Sequence, residues 1–193
     1  MKTNRLEAFS DGVLAIVITI MVLEFKIPET PHLSGLYGNF VYFISYLLSF
    51  VYLAIYWNNH HHIFQALEKV NGRILWANMH LLFWLSLIPF ATQWGSHYFP
   101  AKEPLMFYGC ILFMCSIASI LLIYTIKKSQ PPEILEAIKE SKNYKSLISL
   151  GLYLVGIIAA IYNHWLAVTV YFIIAVLWII PNKKIEEKLN QKH

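Results

Sequence analysis

The side chains best suited to chemistry lie near the start of the chain, where a charged segment runs directly into an apolar one. Arg5, Ser10 and Asp11 supply a cation, a hydroxyl and a carboxylate. Residues 13–23 follow without a break, and Thr19 is their one polar member. An aspartate so close to bilayer-buried sequence is costly unless it is paired or hydrated, so it marks a functional site by default. We therefore interpret this first helix as the wall of an ion pathway.

The composition indicates which class of protein must position these residues. The chain has 193 residues, of which 58% are hydrophobic and 13% are charged, and its mean hydropathy is +0.52. Soluble proteins are typically about 45–50% apolar and about 25% charged. A soluble domain of this size could not bury so much apolar surface, so the composition predicts an all-α, multi-pass integral membrane protein.

Six apolar segments approach the length of about 20 residues that a membrane-spanning helix needs. Segments rich in proline, glycine or charge separate them. We predict a single domain, 1–193, with helices at about 6–25, 37–58, 73–95, 104–126, 147–162 and 165–181. Pro89 falls inside the third of these helices and is expected to kink it.

The basic residues predict the orientation of these helices. All but two of the 15 Lys and Arg residues lie in the N-terminus, the 59–73 and 127–146 links and the C-terminal tail; the exceptions are Lys26 and Lys102. Basic residues collect on the cytoplasmic side of membrane proteins. Both termini are therefore predicted to be cytoplasmic, and the net charge of +4 does not require a nucleic-acid partner.

Five residues of the first helix recur at helical spacing and form one stripe: Gly12, Ile16, Thr19, Ile20 and Leu23. Such a stripe could pack against neighbouring helices, where small residues are common. From spacing alone, packing is the commoner explanation. The functional alternative is a pore lining, in which apolar rings gate by dewetting and hydroxyl oxygens replace part of an ion's hydration shell.

The polar residues at the start of this helix also have two explanations. Ser10 and Asp11 could cap free backbone N–H groups in the first turn. Alternatively, Arg5 could pair with Asp11 or with residues 58–62, which are predicted to lie on the same side of the membrane.

A cluster of three consecutive histidines, His60-His61-His62, raises the question of a metal site. Consecutive residues point about 100° apart on a helix, and metal sites favour i, i+4 pairs with a nearby carboxylate. Hydrogen bonding to the mouth of the first helix is the stronger hypothesis. Asn78 and His80, inside the third predicted helix, are expected to make interhelical hydrogen bonds.

No nucleophile–base pair, phosphate-binding loop or pair of carboxylates stands out, so we predict that the chain is not an enzyme and needs no cofactor. Two other classes remain open. One is a proton-conducting or proton-coupled transporter that titrates Asp11 and the histidines. The other is a membrane enzyme or a metal-binding membrane protein that uses His60 to His62.

The first-helix pattern Arg5-x-x-x-Phe9-Ser10-Asp11-Gly12 resembles the signature of the endolysosomal transmembrane potassium channels and their bacterial homologues. The resemblance covers the whole chain as one six-helix unit, like the bacterial members. Trp57-x-x-His60-His61-x-x-Phe64, Asn78 and Pro89-Phe90 are similar to further family positions.

This resemblance implies a homotetramer in which the first helix of each copy lines a central pore. By offset from the motif, the constriction and selectivity positions are Ile16, Thr19, Ile20 and Leu23. The resemblance further implies potassium as the permeant ion, with other monovalent cations and membrane lipids as partners, in a prokaryotic plasma membrane. The implied structural network contains Arg5, Phe9, Ser10, Asp11, Gly12, His60, His61 and Asn78.

Overall fold

The computed structural model describes residues 3–65, 67, 69–129 and 143–179. All regular structure in these residues is helical. Residues 180–181 of the last predicted helix, most of the basic 127–146 link and the tail lie outside the described residues.

Seven α-helices and one 3₁₀ helix build six membrane-crossing segments in the described part of the chain, because the 3₁₀ helix continues into the second α-helix and the third and fourth α-helices form one segment. They are α1 Thr3–Leu23, the 3₁₀ helix Leu33–Asn39 with α2 Phe40–Gln65, α3 Gly72–Ser86, α4 Ile88–His97, α5 Lys102–Ser129, α6 Asn143–Tyr162 and α7 His164–Ile179. The first five segments are long and apolar enough to span a bilayer, and α7 is a shorter apolar helix. The predicted all-α, multi-pass fold class is confirmed.

The third predicted helix, 73–95, is two helices in the structure. α3 ends at Ser86 and α4 begins at Ile88. Pro89 lies in the first turn of α4, where the missing N–H group needs no intrahelical acceptor. The backbone N–H of Leu87 instead turns back to the carbonyl of Trp84 at 3.2 Å. The proline thus divides the segment rather than only bending it.

α2 continues beyond the predicted end at residue 58 and contains the histidine cluster. Its last two turns carry His60 and Phe64, whose side chains are 3% and 1% exposed. The two rings stack at a centroid distance of 4.0 Å. Burial of these rings, together with a hydrogen bond to α3, supports helical structure as far as Gln65, where the sequence predicted a polar link.

α1 lies at one side of the helix bundle. It packs against α2, α3 and α4, whereas α6 and α7 lie on the other side, packed on α5, with α7 also against α2. α1 is therefore covered along one face, and this asymmetry positions the candidate site.

Tyr171 of α7 holds the opposite side of the bundle together. Its ring is fully buried, and its backbone carbonyl accepts a hydrogen bond from the Tyr52 hydroxyl at 2.6 Å. Gly109 of α5 and Gly156 of α6 lie so close to this ring that a Cβ at either position would overlap it. The two glycines let α5 and α6 approach α7 around one aromatic side chain.

Candidate ion pathway along the first helix

The two faces of α1 have different environments. The buried face carries Leu6, Ser10, Leu14, Val17 and Met21, whose successive spacings are four, four, three and four residues. This spacing keeps one stripe against α2, α3 and α4. The opposite stripe has no covering helix among the described residues of one chain.

The stripe predicted from spacing lies on this uncovered face. The exposed fractions are 58% for Ile16, 43% for Ile20 and 80% for Leu23. Thr19 is exposed too, and nothing lies within 4 Å of a Cβ built on Gly12. Packing within one chain, the commoner explanation from spacing, does not account for these residues, because the chain's own helices contact the other face.

The Thr19 hydroxyl has a defined geometry. Its Oγ1 donates to the carbonyl of Ala15 at 2.9 Å or Ile16 at 3.0 Å. A hydroxyl has one hydrogen and two acceptor lone pairs. Because the hydrogen is engaged by the backbone, the oxygen of this exposed side chain can act as an acceptor for a cation.

A buried polar network joins α1, α2 and α3 near the start of α1. Asn78 Nδ2 donates to Ser10 Oγ at 2.9 Å, and Ser10 Oγ donates to the Leu6 carbonyl at 2.9 Å. His60 Nε2 lies 2.7 Å from Asn78 Oδ1. An amide oxygen can only accept, so His60 Nε2 carries the proton in this arrangement. His60 Nδ1 is buried and has no hydrogen-bond partner in the part of the chain that the structure describes.

A second polar group lies beside this network. His61 Nδ1 is 2.9 Å from Glu7 Oε1, and Gln65 Nε2 is 2.8 Å from His61 Nε2. Glu7 was not among the site residues predicted from the sequence. Its position one helical turn before Asp11 was the available signal, because residues four apart lie on neighbouring parts of a helix surface.

Asp11 is held by a tryptophan rather than by Arg5. Trp57 Nε1 donates to Asp11 Oδ1 at 2.9 Å, and the Trp57 ring stacks on the His61 ring at a centroid distance of 5.6 Å. Together with the Glu7–His61 pair, this contact attaches the entry of α1 to the end of α2.

Three residues of the predicted structural network lie outside these contacts. Arg5 is exposed and makes no ion pair with the residues that the structure describes. Phe9 is 51% exposed, and Gly12 lies on the open face. Within one chain, the network therefore brings together Ser10, His60 and Asn78, with Asp11 and His61 beside them.

The consecutive histidines diverge, as expected for a helix. His60 points to Asn78 and His61 to Glu7. In the described part of the chain, no three His, Cys, Asp or Glu side chains converge in a way that could hold a metal ion.

Comparison with known proteins places this arrangement in a family. The sequence profile of the family described as "Endosomal/lysosomal potassium channel TMEM175" matches residues 5–89, which run from the first turn of α1 to the start of α4. A potassium channel of Chryseobacterium sp. is 47% identical over 194 residues, covering 99% of this chain and 100% of that protein.

Relatives extend to a solved structure and to animal proteins. The crystal structure of a lysosomal potassium-selective channel TMEM175 homolog from Chamaesiphon minutus matches with a TM-score of 0.79 at 29% identity, covering 92% of this chain and 96% of that one. The mouse endosomal/lysosomal proton channel TMEM175 is 29% identical over 118 residues, covering 54% of this chain and 23% of that protein. The family is one of ion channels rather than enzymes. Near-complete coverage of a relative at 47% identity shows that the chain belongs to the TMEM175 potassium channel family.

Proposed function

We propose that this chain forms a potassium-preferring cation channel as a homotetramer in a prokaryotic plasma membrane, with both termini cytoplasmic. Four copies of α1 surround the pore. Ile16, Ile20 and Leu23 form its constriction, and Thr19 contributes a layer of hydroxyl oxygens. The channel needs no cofactor, and potassium is the permeant ion.

The observation that carries this proposal is the two-sided environment of α1. One face is buried against three helices, and the other exposes an apolar stripe with a single hydroxyl. A helix that only anchored the bundle would have no need to place a threonine hydroxyl and a glycine on the stripe of its uncovered face, as Thr19 and Gly12 are placed. Membership in a channel family and the name of the Chryseobacterium relative support potassium as the ion.

The proposed constriction acts through water. Rings of isoleucine or leucine offer no hydrogen bonds, so a narrow ring can empty of water and stop ions. When the ring is wide enough to wet, an ion passes after giving up part of its hydration shell. Thr19 Oγ1 lies within one turn of both Ile16 and Ile20 and offers replacement oxygen ligands there. Potassium holds its water less tightly than sodium, which favours potassium.

Ion flux into proteoliposomes that hold the purified protein tests this proposal. A potassium gradient drives the flux, with sodium and caesium as comparison ions. We expect faster potassium than sodium flux, and a lower potassium-to-sodium ratio in Thr19→Ala, because the substitution removes the hydroxyl layer.

Thr169→Ala is the matched control, since Thr169 is also exposed but lies on α7, which does not pack against α1. It should leave the flux ratio unchanged. An unshifted ratio in Thr19→Ala would remove this residue from the selectivity mechanism. If a monodisperse oligomer conducted no ion at all, that result would contradict an open pore.

Proton conduction is the second candidate function, and two observations favour it. The animal relatives are named proton channels, and titratable side chains surround the entry of α1, where Glu7 contacts His61 and Asp11 contacts Trp57. Flux driven by a pH gradient at constant potassium distinguishes this candidate. A current that follows the pH gradient and is indifferent to potassium would replace the potassium proposal.

A further inference from the structure

A groove of about 510 Å³ lies between α3 and α5, away from α1. It opens at the end of the bundle where α3 begins and α5 ends, the end predicted to be cytoplasmic. Arg73 and Lys128 line this groove, and none of its lining residues in the described ranges is acidic. Both cations are exposed and make no ion pair with any residue that the structure describes. Within the part of the chain that the structure describes, the groove therefore presents two positive charges that no carboxylate neutralises.

The part of the groove nearer the middle of the bundle is aromatic and apolar. Trp76 is 75% exposed, one turn along α3 from Arg73. Tyr124 and Leu121 of α5 face it with exposed fractions of 61% and 44%. Trp and Tyr are enriched at the depth of lipid headgroups because their rings are amphipathic. The order from basic to aromatic to apolar follows the order of a phospholipid from phosphate to glycerol to acyl chain.

The histidine that lines the groove adds an unpaired donor. Trp84 Nε1 donates to His80 Nε2 at 3.0 Å, so in the neutral ring the proton is on Nδ1. His80 Nδ1 is buried and has no hydrogen-bond partner in the described residues. A buried N–H without an acceptor is unfavourable. The lining thus combines two exposed cations with a histidine whose buried Nδ1 has no partner among the described residues. The two cations match a ligand rich in acceptor oxygens.

We propose that this groove binds an anionic phospholipid from the leaflet on its own side of the membrane. Arg73 and Lys128 hold the phosphate, and Trp76 and Tyr124 flank the glycerol region. Basic pockets between transmembrane helices on the cytoplasmic side are suited to such headgroups. The inference goes beyond the proposed channel function, and a binding measurement tests it whether or not the protein conducts.

Native mass spectrometry of the purified oligomer measures this binding directly. The protein is titrated with phosphatidylglycerol, and with phosphatidylcholine of the same acyl chains. We expect tighter binding of phosphatidylglycerol. One basic residue near a membrane surface contributes about fivefold, so Arg73→Gln combined with Lys128→Gln should weaken phosphatidylglycerol binding by about 30-fold. Phosphatidylcholine binding should not change.

The matched control combines Lys26→Gln with Lys102→Gln, which removes the same charge at the opposite end of the bundle. It should leave phosphatidylglycerol binding intact. Equal losses of phosphatidylglycerol binding in the two double variants would show an effect of net charge and overturn the proposed site. So would an absence of preference for phosphatidylglycerol in the unmodified protein.

Trp76→Leu keeps both cations and separates a lipid from a soluble phosphate. This variant should bind phosphatidylglycerol several-fold more weakly, since the ring that flanks the glycerol is removed. Glycerol phosphate should not displace phosphatidylglycerol from the unmodified protein. Full displacement of phosphatidylglycerol by glycerol phosphate, together with unchanged phosphatidylglycerol binding in Trp76→Leu, would assign the groove to a soluble phosphate compound. That result would overturn the lipid proposal.

Discussion

The hydrogen bond between His60 and Asn78 should be strongly coupled to the stability of the bundle. Asn78 is fully buried and links α3 to both α1 and α2. Asn78→Leu removes the one acceptor of His60 Nε2. Because His60 Nδ1 has no partner among the described residues, the imidazole then keeps no hydrogen bond within them.

The loss of stability expected for Asn78→Leu follows from the hydrogen bonds that it removes. An orphaned buried polar group costs about 1–3 kcal/mol, whereas interhelical hydrogen bonds in membrane proteins average about 0.6 kcal/mol with a maximum near 1.7 kcal/mol. Ser10 keeps its bond to the Leu6 carbonyl and adds little. We therefore expect Asn78→Leu to lower the free energy of unfolding by about 1–2 kcal/mol.

Substitution of the other partner, His60, and the double variant that changes both residues give the decisive comparison. His60→Phe keeps a ring stacked on Phe64 but leaves Asn78 Oδ1 without its partner. Replacing both partners by apolar groups of similar shape can be nearly neutral. The double variant should therefore be more stable than the sum of the single losses predicts, by about 1 kcal/mol or more.

Equilibrium unfolding by SDS in mixed micelles, followed by circular dichroism, measures these free energies. His32→Phe is the control, because His32 is exposed before the 3₁₀ helix and its side chain makes no cap hydrogen bond. It should change stability by less than about 0.5 kcal/mol. Strictly additive losses in the His60–Asn78 cycle would refute the reasoning, as would a single-variant loss no larger than that of the control.

Two further predictions concern the pore and the packing of the bundle. Ile16→Asn should raise ion flux and lower the potassium-to-sodium ratio by wetting the proposed constriction. Ile173→Asn, at an exposed position of α7, should change neither, and equal currents in both variants would argue against Ile16 as pore lining. Gly109→Ala should lower the free energy of unfolding by about 1–3 kcal/mol through overlap with Tyr171, whereas Gly151→Ala meets no atom within 4 Å. Equal stability of these two variants in the SDS titration would contradict the packing argument.

Several features of the site could be predicted from the sequence because they depend on local spacing. The stripe of Ile16, Thr19 and Leu23 follows from the periodicity of a helix, and the structure places it on one face of α1. Asn78 was expected to bond between helices because a buried amide needs partners, and it does so with Ser10 and His60.

Other features required contacts that are distant in the sequence. Asn78 and Ser10 are separated by 68 positions, and Trp57 and Asp11 by 46. No local pattern states which polar partners meet across a bundle, so Asp11 could equally have been assigned to Arg5. The end of α2 had the same difficulty, because the burial of His60 depends on α3.

The sequence by itself determined the class of protein: apolar segments of membrane length require helices, because a bilayer leaves backbone groups no other hydrogen-bond partners. It also determined which residues share one face of α1, since the helical period depends only on the local backbone. Only the tertiary structure decided which face of α1 is buried, which polar residues pair and where the groove between α3 and α5 opens. These depend on how separate helices pack together, and packing depends on the shapes and polar groups of residues far apart in the chain.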